Sequence, residues 1–322
     1  MGGNRTPGPM CQVRNPVEID KGTMHLGRTP SPVPIGFTPG PTQREKLFYK
    51  KVGVTNVWRT VVPSAFLYVA GMEIDVDGAP NAYGPPEQPG LDFLGNASSN
   101  YKDWKHGEWR GLVAGPNGTG PADVKGNKAF VQKDGLHKGF FISQSSLEDH
   151  SVKDLLNPAR YADATSVPYL ALPLARPAKK SKHGITFFEE LGLRLGDYAI
   201  AVNSANAKWG AAIFADSKHL PKLGECSAAL ADILAVPSDL KGGYKRKHGD
   251  KTAVAAGAAG GIVYLVFPST GAGQGTIPSP QQIQDKGKAL FENWGGMDRL
   301  IDCFPEWLGI CHSPARRKRK KA

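Results

Sequence analysis

Tyr198-Ala-Ile-Ala-Val-Asn203, a polar turn at Ser204 to Lys208, and then Gly210-Ala-Ala-Ile-Phe-Ala-Asp216 form the most informative stretch of the chain. Two apolar runs of strand length, joined by a short polar turn, read as a β-hairpin. The hairpin ends on an acid, Asp216. A loop then leads to Gly224-Glu225-Cys226-Ser227, and Ala228 to Ala235 carries Leu230, Ile233 and Leu234 at helical spacing. The spacing predicts that Glu225 opens a helix.

Reading upstream, Trp58 to Pro63 and Ala65 to Ala70 are short strands with β-branched and aromatic content. Glu73-Ile-Asp75-Val-Asp77-Gly alternates acids with apolar residues, so a strand there would put all three acids on one face. Residues 84–127 are dense in Gly, Pro and Asn and read as a long loop. Gly139 to Gln144 and Val167 to Pro173 read as strands. Downstream, Ile262 to Phe267 is a buried strand. Pro280 to Leu308 is helical, with Ile283, Leu290 and Phe291 on one face.

Gly (39) and Pro (26) together make up about a fifth of the 322 residues, against about an eighth in an average protein. That share favours turns and short strands over long helices. The expected organisation is an irregular Pro/Gly-rich segment at 1–45, one β-rich (α+β) domain at 46–312 with short peripheral helices and a C-terminal helix, and a basic tail at 313–322. The leading segment reads as either a disordered tail or a docking arm. Net charge is +11, with six positive charges in Arg316 to Lys321. Smaller basic patches sit at 179–183 and 245–248. Aromatics are not interleaved with these patches, so no nucleic-acid partner is expected. The first ten residues lack the apolar core of a signal peptide, and the apolar stretch Ala253 to Phe267 is too short for a membrane span. Cys11, Cys226, Cys303 and Cys311 lack metal-finger spacing. Cys303 and Cys311 are close enough in sequence to bridge, and Cys226 reads as a small buried residue.

Two carboxyl groups suffice to hydrolyse a glycosidic bond, one as proton donor and one to activate water or attack the ring. Asp216, ending an apolar strand, and Glu225, nine residues on, stand where rigid elements meet loops. A turn acid and a helix-dipole acid are the structural alternatives. Glu73, Asp75 and Asp77 form a second acidic set. Three acids on one face repel unless a cation, metal or amino sugar lies among them, or unless they form a solvated edge. The run lacks the length and order of an EF-hand loop. No zinc-protease His pair, nucleophile elbow or phosphate loop is present.

These segments resemble the fungal-type chitosanases, glycoside hydrolase family 75. In that family a strand ends in Asp, and a Lys-Ile/Leu-Gly-Glu-Gly-Ser motif follows at the same nine-residue separation. Glu73-Ile-Asp-Val-Asp-Gly, Gly261-Ile-Val-Tyr-Leu-Val-Phe-Pro-Ser and Leu290-Phe-Glu-Asn-Trp-Gly-Gly are similar to further family segments, in family order. The resemblance implies a barrel-like domain, with the double-psi barrel as its candidate type. It also implies an endo-acting, inverting hydrolase of β-1,4-linked glucosamine polymers that needs no cofactor or metal. Asp216 and Glu225 would be the catalytic pair, Glu225 as acid and Asp216 as base. Glu73, Asp75 and Asp77 would bind substrate. The chain departs from the pattern at Ser217 to Leu220, where the family has Gly-Pro, and at Cys226, Glu73 and Val76. The basic character suits an anionic wall polymer such as peptidoglycan. The alternatives are therefore a wall-cleaving effector, secreted or delivered without a signal peptide and accompanied by secretion machinery or an immunity protein, and a non-catalytic carbohydrate-binding protein.

Overall fold

The computed structural model describes residues 46–52, 55–60, 63–85, 87–88, 90–98, 107–120, 126–173, 191–218, 222–236 and 261–303. The leader, the tail, both small basic patches and Cys11 and Cys311 fall outside them. The described part is mostly sheet with few helices. Its strands are β1 (Lys46–Val52), β2 (Thr55–Thr60), β3 (Ala65–Ala70), β4 (Glu73–Asp75), β5 (Ala114–Gly115), β6 (Lys128–Ala129), β7 (Tyr169–Pro173), β8 (Tyr198–Asn203), β9 (Trp209–Lys218), β10 (Glu225–Ser227) and β11 (Ile262–Val266). The helices are α1 (Ala228–Ile233), α2 (Pro280–Trp294) and α3 (Gly296–Cys303). Nine strands form one mixed sheet in the order β1-β2-β3-β11-β8-β9-β7-β10-β4.

The hairpin read from sequence is β8–β9, antiparallel from Tyr198 opposite Ile213 to Val202 opposite Trp209. Every side chain of β8 and β11 is buried, because both faces of these central strands are covered. One face carries Ile200, Val202, Ile213, Val263 and Leu265, packed under Ile283, Phe291 and Trp294 of α2. A Cβ on Gly287 would lie 2.3 Å from the Ala211 Cβ, so these two small residues let α2 press close to β9. The helix starts at a full capping box, Ser279 with Gln282, and stops at Gly295, whose φ of 121° ends the helical path before α3.

The other face carries Tyr68, Leu170, Ala199, Ala201, Phe214, Cys226 and Tyr264. Here the sheet curls on itself. Only Gly71 and Met72 separate β3 from β4, yet these strands stand third and ninth in the order. The far edge must therefore swing round to meet the chain leaving β3. One contact across the curl shows that it does: the Tyr264 hydroxyl, from β11, donates at 3.3 Å to Gly224 O, just ahead of β10. On the same face Tyr264 stacks on Tyr68, its partner in the neighbouring strand β3, at 4.8 Å between ring centroids. The second face is thus the inside of the curl, and Cys226 is a fully buried free thiol within it.

Several expected elements are displaced. Glu225 does not open a helix: it starts β10, and α1 begins three residues later with Ser227 as its cap. Strand β9 continues past Asp216 to Lys218. Residues 139–144 form isolated bridges rather than a strand. The acidic strand ends at Asp75, leaving Asp77 in a turn. The helical region is two helices, not one.

The seam where the curl closes leaves no room for a side chain. Gly224 has φ +110°, and a Cβ there would lie 2.1 Å from Gly71 O. Gly224→Ala is expected to lower unfolding stability by about 2–4 kcal/mol in urea titrations, whereas an unchanged midpoint would mean that the seam is loose.

Candidate active site

The sheet register decides where the acids point. β7 runs parallel to β9, with Leu170 opposite Phe214 but Ala171 opposite Asp216, so Ala215 is an extra, bulged residue. By simple alternation Asp216 would follow Phe214 to the inside of the curl. The bulge turns it to the outside, the face of Tyr169 and Ile213. Glu225 of β10 is also opposite Ala171, and Glu73 of β4 is opposite Glu225. Asp216, Ala171, Glu225 and Glu73 therefore form one row across four strands on the outer face. Asp216 and Glu225 flank the small Ala171, two strand spacings or about 9–10 Å apart at the backbone.

Asp75, opposite Ser227, follows Glu73 on the same face. Asp77 folds back from its turn, where its N–H donates to Asp75 Oδ1 at 2.9 Å. Oxygens of Asp75, Asp77 and Asp216 lie within 4.8 Å of one another, a spacing able to hold a cation. Glu73 stands apart from this cluster and forms an ion pair with Lys222. Of the acids expected to share a face, the fold thus gathers Asp75 and Asp77 around Asp216 and sets Glu73 at the end of the row.

Groups without an evident motif hold this cluster. Ser146 donates from both its N–H (2.8 Å) and its hydroxyl (2.7 Å) to Asp216 Oδ1. The Ser217 hydroxyl lies 2.6 Å from that of Ser146. Gln274 anchors the segment through the Ser146 carbonyl at 2.7 Å. Tyr83 donates to Asp77 Oδ1 at 2.7 Å, and Tyr169 to the Asp77 carbonyl at 2.9 Å. Gly111 lies directly against the Asp77 carboxylate, where a Cβ would come within 2.5 Å of Oδ1. Ser143 bridges the same region, accepting from Gly78 N and donating to Gly111 O. Ser227 caps α1 and accepts from Tyr169 N, which ties β7 to the β10–α1 junction.

The electrostatics follow from this crowding. Asp75 and Asp216 are each only 8% exposed. Burial pushes the Asp216 carboxyl up to about 6; Glu225 adds to the rise, while the Ser146 and Ser217 hydrogen bonds oppose it. Burial, and then the charges of Asp75 and Asp216, hold Asp77 well above the usual carboxylate range, against the Tyr83 hydrogen bond. Burial also raises the Tyr83 and Tyr169 phenols, so both remain donors at neutral pH.

Compared with known proteins, the chain matches no family model, and no curated protein matches it. Among the described residues, no helix is long and apolar enough to cross a membrane.

A carboxyl whose folded pKa lies above its unfolded value stabilises the fold below the unfolded pKa. That contribution is lost as pH rises through the folded pKa. For Asp216 the window runs from about pH 4 to about pH 6. Asp216→Asn keeps an oxygen for the Ser146 donors and removes the buried charge. The variant is expected to be more stable than wild type by about 1–2 kcal/mol at pH 7, with no advantage at pH 4. Equal denaturation midpoints at both pH values would show that Asp216 is not strained.

Proposed function

We propose that the protein is an endo-acting, inverting glycoside hydrolase of β-1,4-linked glucosamine polymers, with Glu225 as general acid and Asp216 as general base. The observation that carries this reading is the row Asp216–Ala171–Glu225 on the outer face. Inversion requires two carboxyls about 6.5–9.5 Å apart, with room for a water between them. Two strand spacings between the backbones, with alanine in the middle, are compatible with that separation and favour room for the water. Glu225 protonates the leaving glycosidic oxygen as the bond to the anomeric carbon breaks. Water attacks that carbon from the opposite face and gives its proton to Asp216. The new hydroxyl has the opposite configuration, and proton exchange with solvent resets the pair.

The division of roles rests on the hydrogen bonds of Asp216. Both Ser146 donors act on one oxygen and favour the ionised form, leaving the other oxygen to take the proton from water. A pKa of about 6 makes this carboxylate a stronger base than an ordinary one, yet mostly ionised at pH 7. Glu225 lies on β10, ahead of the α1 cap Ser227, so the helix N-terminus favours its anion less than a place in the first helical turn would. Asp75 and Asp77 supply carboxyl oxygens beside the pair that can accept from a glucosamine ammonium group, whose charge would draw Asp77 toward its ionised form. For the architecture, we propose that β3 with β4, β11, β8, β9, β7 and β10 make up the barrel of the double-psi type implied by the chitosanase resemblance.

Reducing-end release from chitosan is the direct test, with peptidoglycan in parallel. Asp216→Asn and Glu225→Gln are each expected to lower the rate on chitosan by at least about a hundredfold. Activity on peptidoglycan alone, lost in the same variants, would keep the pair and change the substrate. A folded wild type that cleaves neither polymer would overturn the hydrolase reading of these substrates in favour of a binding role. In the active enzyme, activity should fall below about pH 6 as Asp216 takes up a proton. Ser146→Ala removes a donor to the anion and should move that limb upward by about 0.5–1 pH unit. An unmoved limb would assign it to another group.

A further inference from the structure

The outward positions of the chain continue past the acids. From β3 into β4, Leu67, Val69, Gly71, Glu73 and Asp75 alternate with Tyr68 and Met72, which face the inside of the curl. Lys222, which holds Glu73, also borders an open groove of about 450 Å³. Thr55, Asn56, Trp58, Val69 and Gly71 line it too, with Ala70 and Leu223 at its floor toward the inner cluster. Trp58 is opposite Leu67 in the β2–β3 ladder, so its ring lies on the outer face, the face of the catalytic row.

We propose that this groove is a distal subsite for the polysaccharide, with Trp58 as the platform on which a sugar ring stacks. The proposal rests on the glucosamine-polymer reading and specifies how much of the chain is bound. Three observations favour a glycan as occupant. The first is continuity: Val69 lies four residues, or about 13 Å of extended chain, from Glu73, and Lys222 belongs to both regions. A polymer seated on the row would run into the groove, whereas a short oligomer would not reach it. The second is chemistry. A half-buried indole flanked by an amide and a hydroxyl matches a sugar ring, which is apolar on its face and polar at its edge. The third is charge: the Lys222 ammonium is offset by Glu73, so it is a poor repellent of a polycation.

Gly71 provides a way to block the groove without disturbing the core. It is exposed, and a Cβ there would meet no atom within 4 Å. The test uses the full chain carrying Asp216→Asn, titrated calorimetrically with a glucosamine dimer and with a long glucosamine oligomer. Trp58→Ala is expected to weaken the long oligomer about tenfold and to leave the dimer unchanged. Gly71→Leu, which fills the groove and keeps Trp58, should do the same. Trp58→Phe, which keeps a ring, should recover most of the affinity. If wild type cleaves chitosan and neither Trp58→Ala nor Gly71→Leu changes long-oligomer binding, the subsite is overturned and the catalytic reading stands. If the long oligomer does not bind and wild type does not cleave chitosan, the glucosamine reading itself fails, and the proposed occupant fails with it.

Discussion

Two residues, Gly71 and Met72, connect the third strand of the sheet to its last. That short tether is the constraint on which the rest depends. A flat sheet would place its third and ninth strands, six strand spacings apart, at about 28 Å, far beyond the reach of two residues. The sheet must therefore curl, and a curled sheet has an inside that only apolar and small side chains can fill. Tyr68, Tyr264, Phe214, Leu170 and Cys226 fill it. The same curl brings β4 beside β10, and with it Glu73 and Asp75 beside Glu225 and Ser227. The acidic row thus follows from how the core is closed.

Holding several carboxylates together costs stability, and the fold meets that cost with directed donors. Ser146 gives two hydrogen bonds to Asp216, and Tyr83 gives one to Asp77. These donors favour the anions while burial and mutual repulsion oppose them, and the outcome is a set of raised pKa values. A cluster so arranged is poised to accept positive charge, in the form of a proton, an ammonium group or a cation. Strain of this kind is common where side chains are placed for chemistry at the expense of stability.

Much of the scaffold was legible in the sequence because it is local. The β8–β9 hairpin, the apolar strand β11 and the helical face of Ile283 and Phe291 follow from periodicities within a few residues. The acids Asp75, Asp77, Asp216 and Glu225 could be singled out by residue type and spacing. What escaped is non-local. Glu225 read as a helix opener because it precedes a helical pattern; its strand conformation comes from pairing with β4 and β7, about 150 and 54 residues upstream. The bulge at Ala215 is silent in a run of small apolar residues, yet it decides which face Asp216 uses. Ser146 and Tyr83 carried no motif. A serine-rich segment following an apolar run was the only sign that polar groups were being gathered there, and it does not say for which partner.

The acidic row also has a consequence for biosynthesis. Its members come from residues 73, 171, 216 and 225, and its supporting hydroxyls from residues 83 and 146. No contiguous fragment much shorter than the span from β4 to β10 can carry it. Contacts so distant in sequence form late, because long loops must close before the pairing can compensate for the lost entropy. A nascent or partly degraded chain would thus have its outer hairpins before it had any paired acids. The acidic cluster would thus be absent until most of the sheet had closed, and whatever it does would belong to the folded chain alone.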